Sequence, residues 1–239
     1  MDGRNACGGS ILTRNYVITA AHCCNGFKYS QMSVVAGDHN IHINDGEKEY
    51  KVQRVPVIHP NYKHPKNTRD RKNYDFCILQ VESIELDQAT TDIVCVPQHD
   101  VHVKSISGNR CYVAGWGETS TGGQSPILRS FKADIFSPNH CNNLFGYQFD
   151  DDSEFCAGEI NGSDACRGDS GGPLVCIDDD NQPILYGIVS WGLGCDIGKP
   201  GVYAKVSTVV DWIEEVIGPK QLMFGKLIPK SGMTFGKRD

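Results

Sequence analysis

No stretch of this chain stays apolar for the ~18 residues that a membrane-crossing helix needs, so no span is predicted. The opening Met1-Asp-Gly-Arg-Asn-Ala-Cys7 lacks the apolar core of a secretory signal. Positive charge is not in excess. The formal net charge is −6, which gives no electrostatic footprint for nucleic acid or an anionic membrane surface. No internal repeat survives counting, and the cysteine spacing is not that of a zinc site. What is present is a globular composition over 239 residues, with 39% hydrophobic residues and 26 glycines. That length holds one large all-β domain or two small ones, with a core of useful size. Cysteine is abundant. Eleven are too many for a reduced cytosolic enzyme and read as a disulfide framework from an oxidising, extracellular compartment.

One segment organises the chemistry: Asp164-Ala-Cys-Arg-Gly-Asp-Ser-Gly-Gly-Pro173. Ser170 stands among glycines. A serine hydroxyl is a weak nucleophile until a base takes its proton. The freedom of Gly168, Gly171 and Gly172 allows a tight turn that exposes the side chain and aims main-chain N–H groups at one point, as in an oxyanion hole. The alternative is a glycine-rich surface turn.

A base and an orienting acid must come from elsewhere. His22 directly follows an apolar segment in Thr19-Ala-Ala-His-Cys23. Histidine is the usual general base near neutral pH, although a lone histidine is more often structural. Asp75 stands at the mouth of the apolar run Phe76-Cys-Ile-Leu-Gln-Val81. A carboxylate buried there needs a partner, and a histidine N–H would serve; the bland reading is a turn-capping aspartate.

The remaining elements follow in order. Strands are predicted at 10–12 and 16–19, around Thr13-Arg14-Asn15. Two more are predicted at 34–36 and 52–58, around a polar loop. Asp38, Asn40 and Asp45 in that loop could hold calcium, or simply form a solvated acidic loop with Lys48 among the acids. Residues 59–73 read as a basic surface loop and 119–125 as a Gly/Ser/Thr loop. Ser137-Pro138 suits the start of a short helix. Residues 150–154 read as acidic and exposed, and Asn161-Gly-Ser163 is a glycosylation sequon. Strands follow at 174–177, 183–191 and 201–206. Val209, Trp212, Ile213, Val216 and Ile217 recur at helical spacing, with Thr208 and Asp211 suiting the start and Gly218-Pro219 the end. Residues 218–239 read as a weakly ordered tail.

Thr19-Ala-Ala-His-Cys23, Tyr74-Asp75, Gly168-Asp-Ser-Gly-Gly-Pro173, Ser190-Trp-Gly192 and Pro200-Gly-Val-Tyr203 together resemble the chymotrypsin-like serine proteases, in particular the trypsin-like branch. The resemblance covers roughly residues 6–217. It implies an all-β fold of two six-stranded antiparallel barrels with a C-terminal helix, the first barrel incomplete here, and one protease domain over residues 1–217. It implies Ser170 as nucleophile, His22 as acid/base and Asp75 as its orienting group. The N–H groups of Gly168 and Ser170 would bind the oxyanion.

Asp164, six positions before Ser170, matches the floor of the primary pocket, where a buried carboxylate asks for a substrate Arg or Lys. Gly192 and Gly201 match the pocket wall, and Ser190, Trp191 and Gly192 the strand that pairs with substrate backbone. Ala165 stands where many trypsins carry serine, which implies a preference for Arg over Lys. No cofactor is implied beyond possible calcium. Protein or peptide substrates and protein inhibitors are the implied partners of a monomer.

The resemblance pairs Cys7 with Cys23, Cys111 with Cys176, Cys141 with Cys156 and Cys166 with Cys195. A triad would force the segments of Cys24 and Cys77 together, which implies a fifth bridge. Cys95 is left over; in some members this position bonds to a propeptide. The family's cleaved N-terminus pairs with the aspartate before the serine, Asp169 here. The cleavage motif and first strand are expected upstream of Cys7, so Asp169 is expected to lack its partner. The competing expectation to an active protease is a silent or zymogen-like homologue that acts as a binding protein.

Overall fold

The computed structural model describes residues 7–63, 73–98, 110–119, 122–159, 165, 168–178, 181–194 and 199–225. The first half is built around an antiparallel sheet. Strand β1 (Ser10–Thr13) turns through Arg14-Asn15 into β2 (Tyr16–Thr19). A short helix α1 (Ala21–Cys24) follows. β3 (Ser33–Ala36) and β4 (Lys48–Lys51) form a separate hairpin. β5 (Val57–Ile58) and β6 (Cys77–Gln80) complete the sheet in the order β1-β2-β6-β5.

Because successive strand residues face opposite ways, this sheet has two buried faces. Val17, Cys77 and Leu79 point inward to a cluster with Cys24, Tyr50, Val52, Val81 and Ile84. Their neighbours Ile18, Phe76 and Ile78 point to a second cluster shared with Leu185, Ile188, Ala204, Val209 and Ile213. One alternation thus fills the first barrel and glues it to the second. That is why these strands read as continuous apolar runs.

The second half starts with β7 (Val96–Pro97) and β8 (Arg110–Gly115), followed by β9 (Arg129–Lys132) and β10 (Asp134–Ile135). Helix α2 (Pro138–Phe145) precedes β11 (Glu154–Gly158), β12 (Pro173–Ile177), β13 (Pro183–Trp191) and β14 (Gly201–Lys205). Seven of these strands form one sheet in the order β10-β11-β14-β13-β12-β8-β9, all antiparallel. Phe155, Leu174, Ile184, Tyr186 and Tyr203 fill its interior. Ser137 caps α2 by accepting the N–H of His140 at 3.3 Å, with Pro138 in the first turn, as predicted. Helix α3 (Val210–Ile217) packs Ile213 and Ile217 into the shared cluster.

Four sequence expectations change. The predicted strand 52–58 is instead β4, ending at Lys51, plus the two-residue β5. Pro56 has no N–H to give to a ladder there, while Tyr50 buries its ring within the first barrel. Thr208 does not cap α3. It sits in a 3-10 turn, its hydroxyl donating to the Lys205 carbonyl, and α3 starts from Val209 without a side-chain cap. His59, expected in a surface loop, is buried between Tyr74 and Trp212, at ring distances of 4.9 and 4.8 Å. Within the expected tail, β15 (Phe224–Gly225) pairs in parallel with β7, an exception to the antiparallel plan, and residues 226–239 lie outside the described residues. A Cβ on Gly225 would lie 2.3 Å from Ile184, so the contact needs glycine.

Candidate active site

Register brings the candidate base and acid together. Thr19 pairs with Cys77 at the end of the β2–β6 ladder, so the chain leaving β2 and the chain entering β6 emerge side by side. Two residues past Thr19 begins α1, which carries His22; two residues before Cys77 stands Asp75. The contact is double. The backbone N–H of His22 donates to Asp75 Oδ1 at 2.9 Å, and His22 Nδ1 lies 2.7 Å from Asp75 Oδ2. Asp75 is fully buried and the imidazole is 22% exposed. Ser190 completes the carboxylate's shell, its hydroxyl donating to Oδ2 at 2.6 Å. An ionised carboxylate needs this set of donors to stay buried.

The disulfides frame this pair. Cys7–Cys23 and Cys24–Cys77 are both formed, so both residues that follow His22 are covalently tied. Cys7, His22 and Cys23 crowd their donor atoms within 4.8 Å, but the two sulfurs are bonded to each other and leave no thiolate for a metal. Cys111–Cys176 joins register partners on β8 and β12, and Cys141–Cys156 joins α2 to β11. Cys166 and Cys195 lie outside the described residues. Cys95 is a free, buried thiol, and burial pushes its pKa up.

Ser170 arrives from the other half on a turn locked at both ends. Gly171 N–H donates to the Val189 carbonyl and Gly172 N–H to the Asp169 carbonyl, both at 2.8 Å. The Ser170 carbonyl accepts the N–H of Gly8 at 2.8 Å and lies 3.7 Å from Cys23 Sγ. Gly171, at φ +78°, packs so tightly that a Cβ would fall 2.1 Å from Thr19 Oγ1 and 3.1 Å from Ala20 N. The serine turn is thus seated on the residues that lead into His22. Gly168, at φ +101°, holds a left-handed conformation suited to glycine.

Asp169, expected to lack the ammonium of a cleaved N-terminus, is held by backbone in this fold. Its Oδ1 accepts the N–H of Gly117 at 2.8 Å. The carboxylate fills the space where Cβ atoms on Gly115 and Gly117 would lie, 2.0 and 2.2 Å from its oxygens. Ala-Gly-Trp-Gly, residues 114–117, is therefore shaped around Asp169, a relation the sequence reading missed. Gly192 and Gly201 face each other, a Cβ on Gly192 coming within 4.0 Å of Gly201 Cα. Ala165 packs against the second core. Asp164 and the sequon at Asn161 lie outside the described residues.

These motifs meet on a trypsin-like frame, and a family model described as Trypsin matches residues 1–213. The chain belongs to the trypsin family. Human transmembrane protease serine 5 is 36% identical over 217 residues, which is 89% of this chain but only 46% of that longer protein. Rat trypsin V-B is 34% identical over 218 residues, covering 90% of this chain and 81% of the trypsin. The trypsin of Xenopus laevis is 34% identical over 219 residues, covering 90% and 82%. Among solved structures, neuropsin, a serine protease expressed in the limbic system of mouse brain, matches at a TM-score of 0.75 and 32% identity, over 90% of each chain. This member of the trypsin family is a trypsin-like serine endopeptidase of the two-barrel fold. No helix among its described residues is long and apolar enough to cross a membrane.

Two further features bear on the site. In the polar loop, Asp45 Oδ2 accepts the N–H of Asn40 at 3.0 Å, and Glu47 Oε2 accepts that of Asp45 at 2.9 Å. Asp38 Oδ1 is buried with no hydrogen-bond partner, and burial, then Glu47 and Asp45, raise its carboxyl pKa. Lys48 turns away to Glu85. A set of oxygen donors with one orphaned carboxylate oxygen suits a hard cation. The second feature corrects the sequence reading of 150–154: Glu154 is buried, not exposed. Trp191 donates its indole N–H to Glu154 Oε1 at 2.8 Å. The only sequence hint was its position at the head of the apolar run Phe155-Cys-Ala-Gly158.

Proposed function

We propose that this endopeptidase cleaves peptide bonds after Arg or Lys through a Ser-His-Asp triad and an acyl-enzyme. The observation that carries this reading is the double hold of Asp75 on His22, from backbone and from ring. With Nδ1 donating to the carboxylate, Nε2 is the nitrogen left to take a proton from Ser170 as its Oγ attacks the scissile carbonyl. The tetrahedral oxyanion is stabilised by the N–H groups of Gly168 and Ser170. The imidazolium, held by Asp75, then protonates the leaving amine. Water, activated by the same His22, releases the acid.

Asp164 is assigned to the pocket floor, with Gly192 and Gly201 as walls without side chains. Ala165 supplies no hydroxyl beside Asp164, which favours the bidentate fork of Arg over Lys. Ser190 to Gly192 pair with the substrate backbone. Protein inhibitors that present Arg or Lys are the expected regulators, the enzyme working as a monomer. An extracellular address fits four formed disulfides. A calcium ion at Asp38, Asn40 and Asp45 is proposed as a structural ligand only.

A fluorophosphonate probe tests the triad: Ser170 is labelled, and labelling is lost in S170A and H22A. Absence of label on folded protein removes the reading. Matched arginyl and lysyl peptides test the pocket, and a higher kcat/KM for lysine overturns the Arg preference.

A further inference from the structure

A buried carboxyl group outside the proposed triad is bonded to Trp191 at the end of β13. Glu154 opens β11 in register with Ala204 of β14 and is 1% exposed. Its Oε1 accepts the indole N–H of Trp191 at 2.8 Å; its Oε2 accepts the backbone N–H of Asp150 at 3.1 Å. Phe145 of α2 packs against the indole edge to face, at 5.2 Å between ring centres. Trp191 follows Ser190, whose hydroxyl bonds Asp75. Two buried carboxylates therefore hold consecutive residues of one strand end.

We propose that Glu154 is a positioning residue: it fixes the Trp191 ring, and with it the platform that receives substrate residues preceding the scissile bond. This rests on the protease reading only for the identity of what binds there. The physical case is geometric. An indole has one donor and two bonds to rotate about, so a ring held by its N–H and packed by a second aromatic ring is confined to one orientation. A buried carboxylate is an expensive way to supply one acceptor. An apolar side chain would fill the same space and leave the ring free to turn.

The charge around Glu154 makes the grip sensitive to pH. Burial raises its pKa to about 7, Asp150 and Asp75 add to the rise, and the bonds from Trp191 and the Asp150 N–H oppose it. Asp150 is tied to Ser153 and Asn73, each donating to its Oδ2. From β14, Lys205 sends its ammonium to the carbonyls of Asp151 and Asp152, and from α2 His140 stacks outward on Phe136. Lys205 and Glu154 attract through space, but the ammonium is bonded to those carbonyls, and no cation bonds to Glu154 among the described residues. The carboxylate charges as pH rises through neutrality, and a charged acceptor holds the indole harder.

The test uses S170A protein, free of autolysis, with E154Q and E154M built in it, and the same variants in active enzyme. The Trp191 indole N–H resonance, assigned by W191F, is expected to titrate near neutral pH in the parent. It stays flat but hydrogen-bonded in E154Q, which keeps an acceptor, and moves to an unbonded position in E154M. In active enzyme, E154M raises KM several-fold for a tetrapeptide substrate relative to a single-residue ester, and E154Q recovers most of the loss. An indole signal unmoved by pH and equal in all three proteins overturns the proposal, as does an equal KM change for peptide and ester. If no variant cleaves anything, the protease reading fails while the indole titration still decides the role of Glu154.

Discussion

The Cys24–Cys77 bridge gives the sharpest quantitative expectation. α1 is four residues long, too short to hold itself, yet it carries His22. What fixes it are the ties to Asp75 and the two bridges that follow the histidine. Cys24–Cys77 closes a loop with a sequence separation of 53, and chain-entropy bookkeeping for a loop of that length gives about 4 kcal/mol. Both cysteines are buried, so replacing them with alanine leaves no exposed polar group to blur the comparison. C24A/C77A is therefore expected to lose about 3–5 kcal/mol in urea unfolding followed by tryptophan emission. Because the bridge ends beside both His22 and Asp75, kcat should fall further than KM rises. A loss under about 1 kcal/mol at unchanged m-value would refute the reasoning, since it would mean the sulfurs contribute nothing that the surrounding core does not already supply.

Three other expectations concern charge. Folding lifts the Glu154 carboxyl from its ordinary 4.5 to about 7, so its cost to stability is absent below pH 4.5, grows as pH rises and is complete above 7. That cost is roughly 3 kcal/mol at its full extent, and E154Q should out-melt the parent by a margin that widens across this window; a constant margin refutes it. S190A removes a donor from the fully buried Asp75, which should cost about 1.5–3 kcal/mol of stability and about tenfold in kcat; unchanged kinetics would detach Ser190 from the triad. Calcium added to chelator-treated protein should raise the melting temperature by a few degrees, through the binding free energy it supplies to the folded state, and D45N should abolish the rise. Coincident melts with and without calcium remove that site.

Much of the site was legible because its chemistry is local in sequence. Thr19-Ala-Ala-His-Cys23 and Gly168-Asp-Ser-Gly-Gly-Pro173 each carry a side chain of the proposed triad among small neighbours. The bridge between Cys24 and Cys77 followed from where the histidine and aspartate had to be. The illegible parts are those decided by distant neighbours. Nothing near Gly115 or Gly117 announces that Asp169 occupies the space beside them. Nothing in residues 150–154 says which acid turns inward; the strand register of β11 against β14 decides it, burying Glu154 and leaving Asp151 and Asp152 outside. The same holds for Gly225, whose place against Ile184 could not be read from a tail rich in lysine and glycine.

Glu154 also shows how a local contradiction can mark function. Every other buried position of β11 is apolar or glycine, and the two cores it borders are filled by aromatic and branched residues. A folding argument alone would place an apolar residue at its head. Sequences that break their own pattern without a compensating local gain tend to do so where a site requires it. Here the requirement is visible in the partner. Asp75 holds His22, the proposed base, and accepts the Ser190 hydroxyl, and Glu154 holds the next residue along through its indole. In the proposed mechanism, nucleophile chemistry and substrate docking thereby share one strand end, each side held by its own carboxylate. Loosening either acid should then be felt at both functions, in unequal measure: D75N chiefly in kcat, E154M chiefly in the KM of extended peptides. Equal and parallel losses from the two changes would mean that the strand end moves as one body and that neither acid has a separate role.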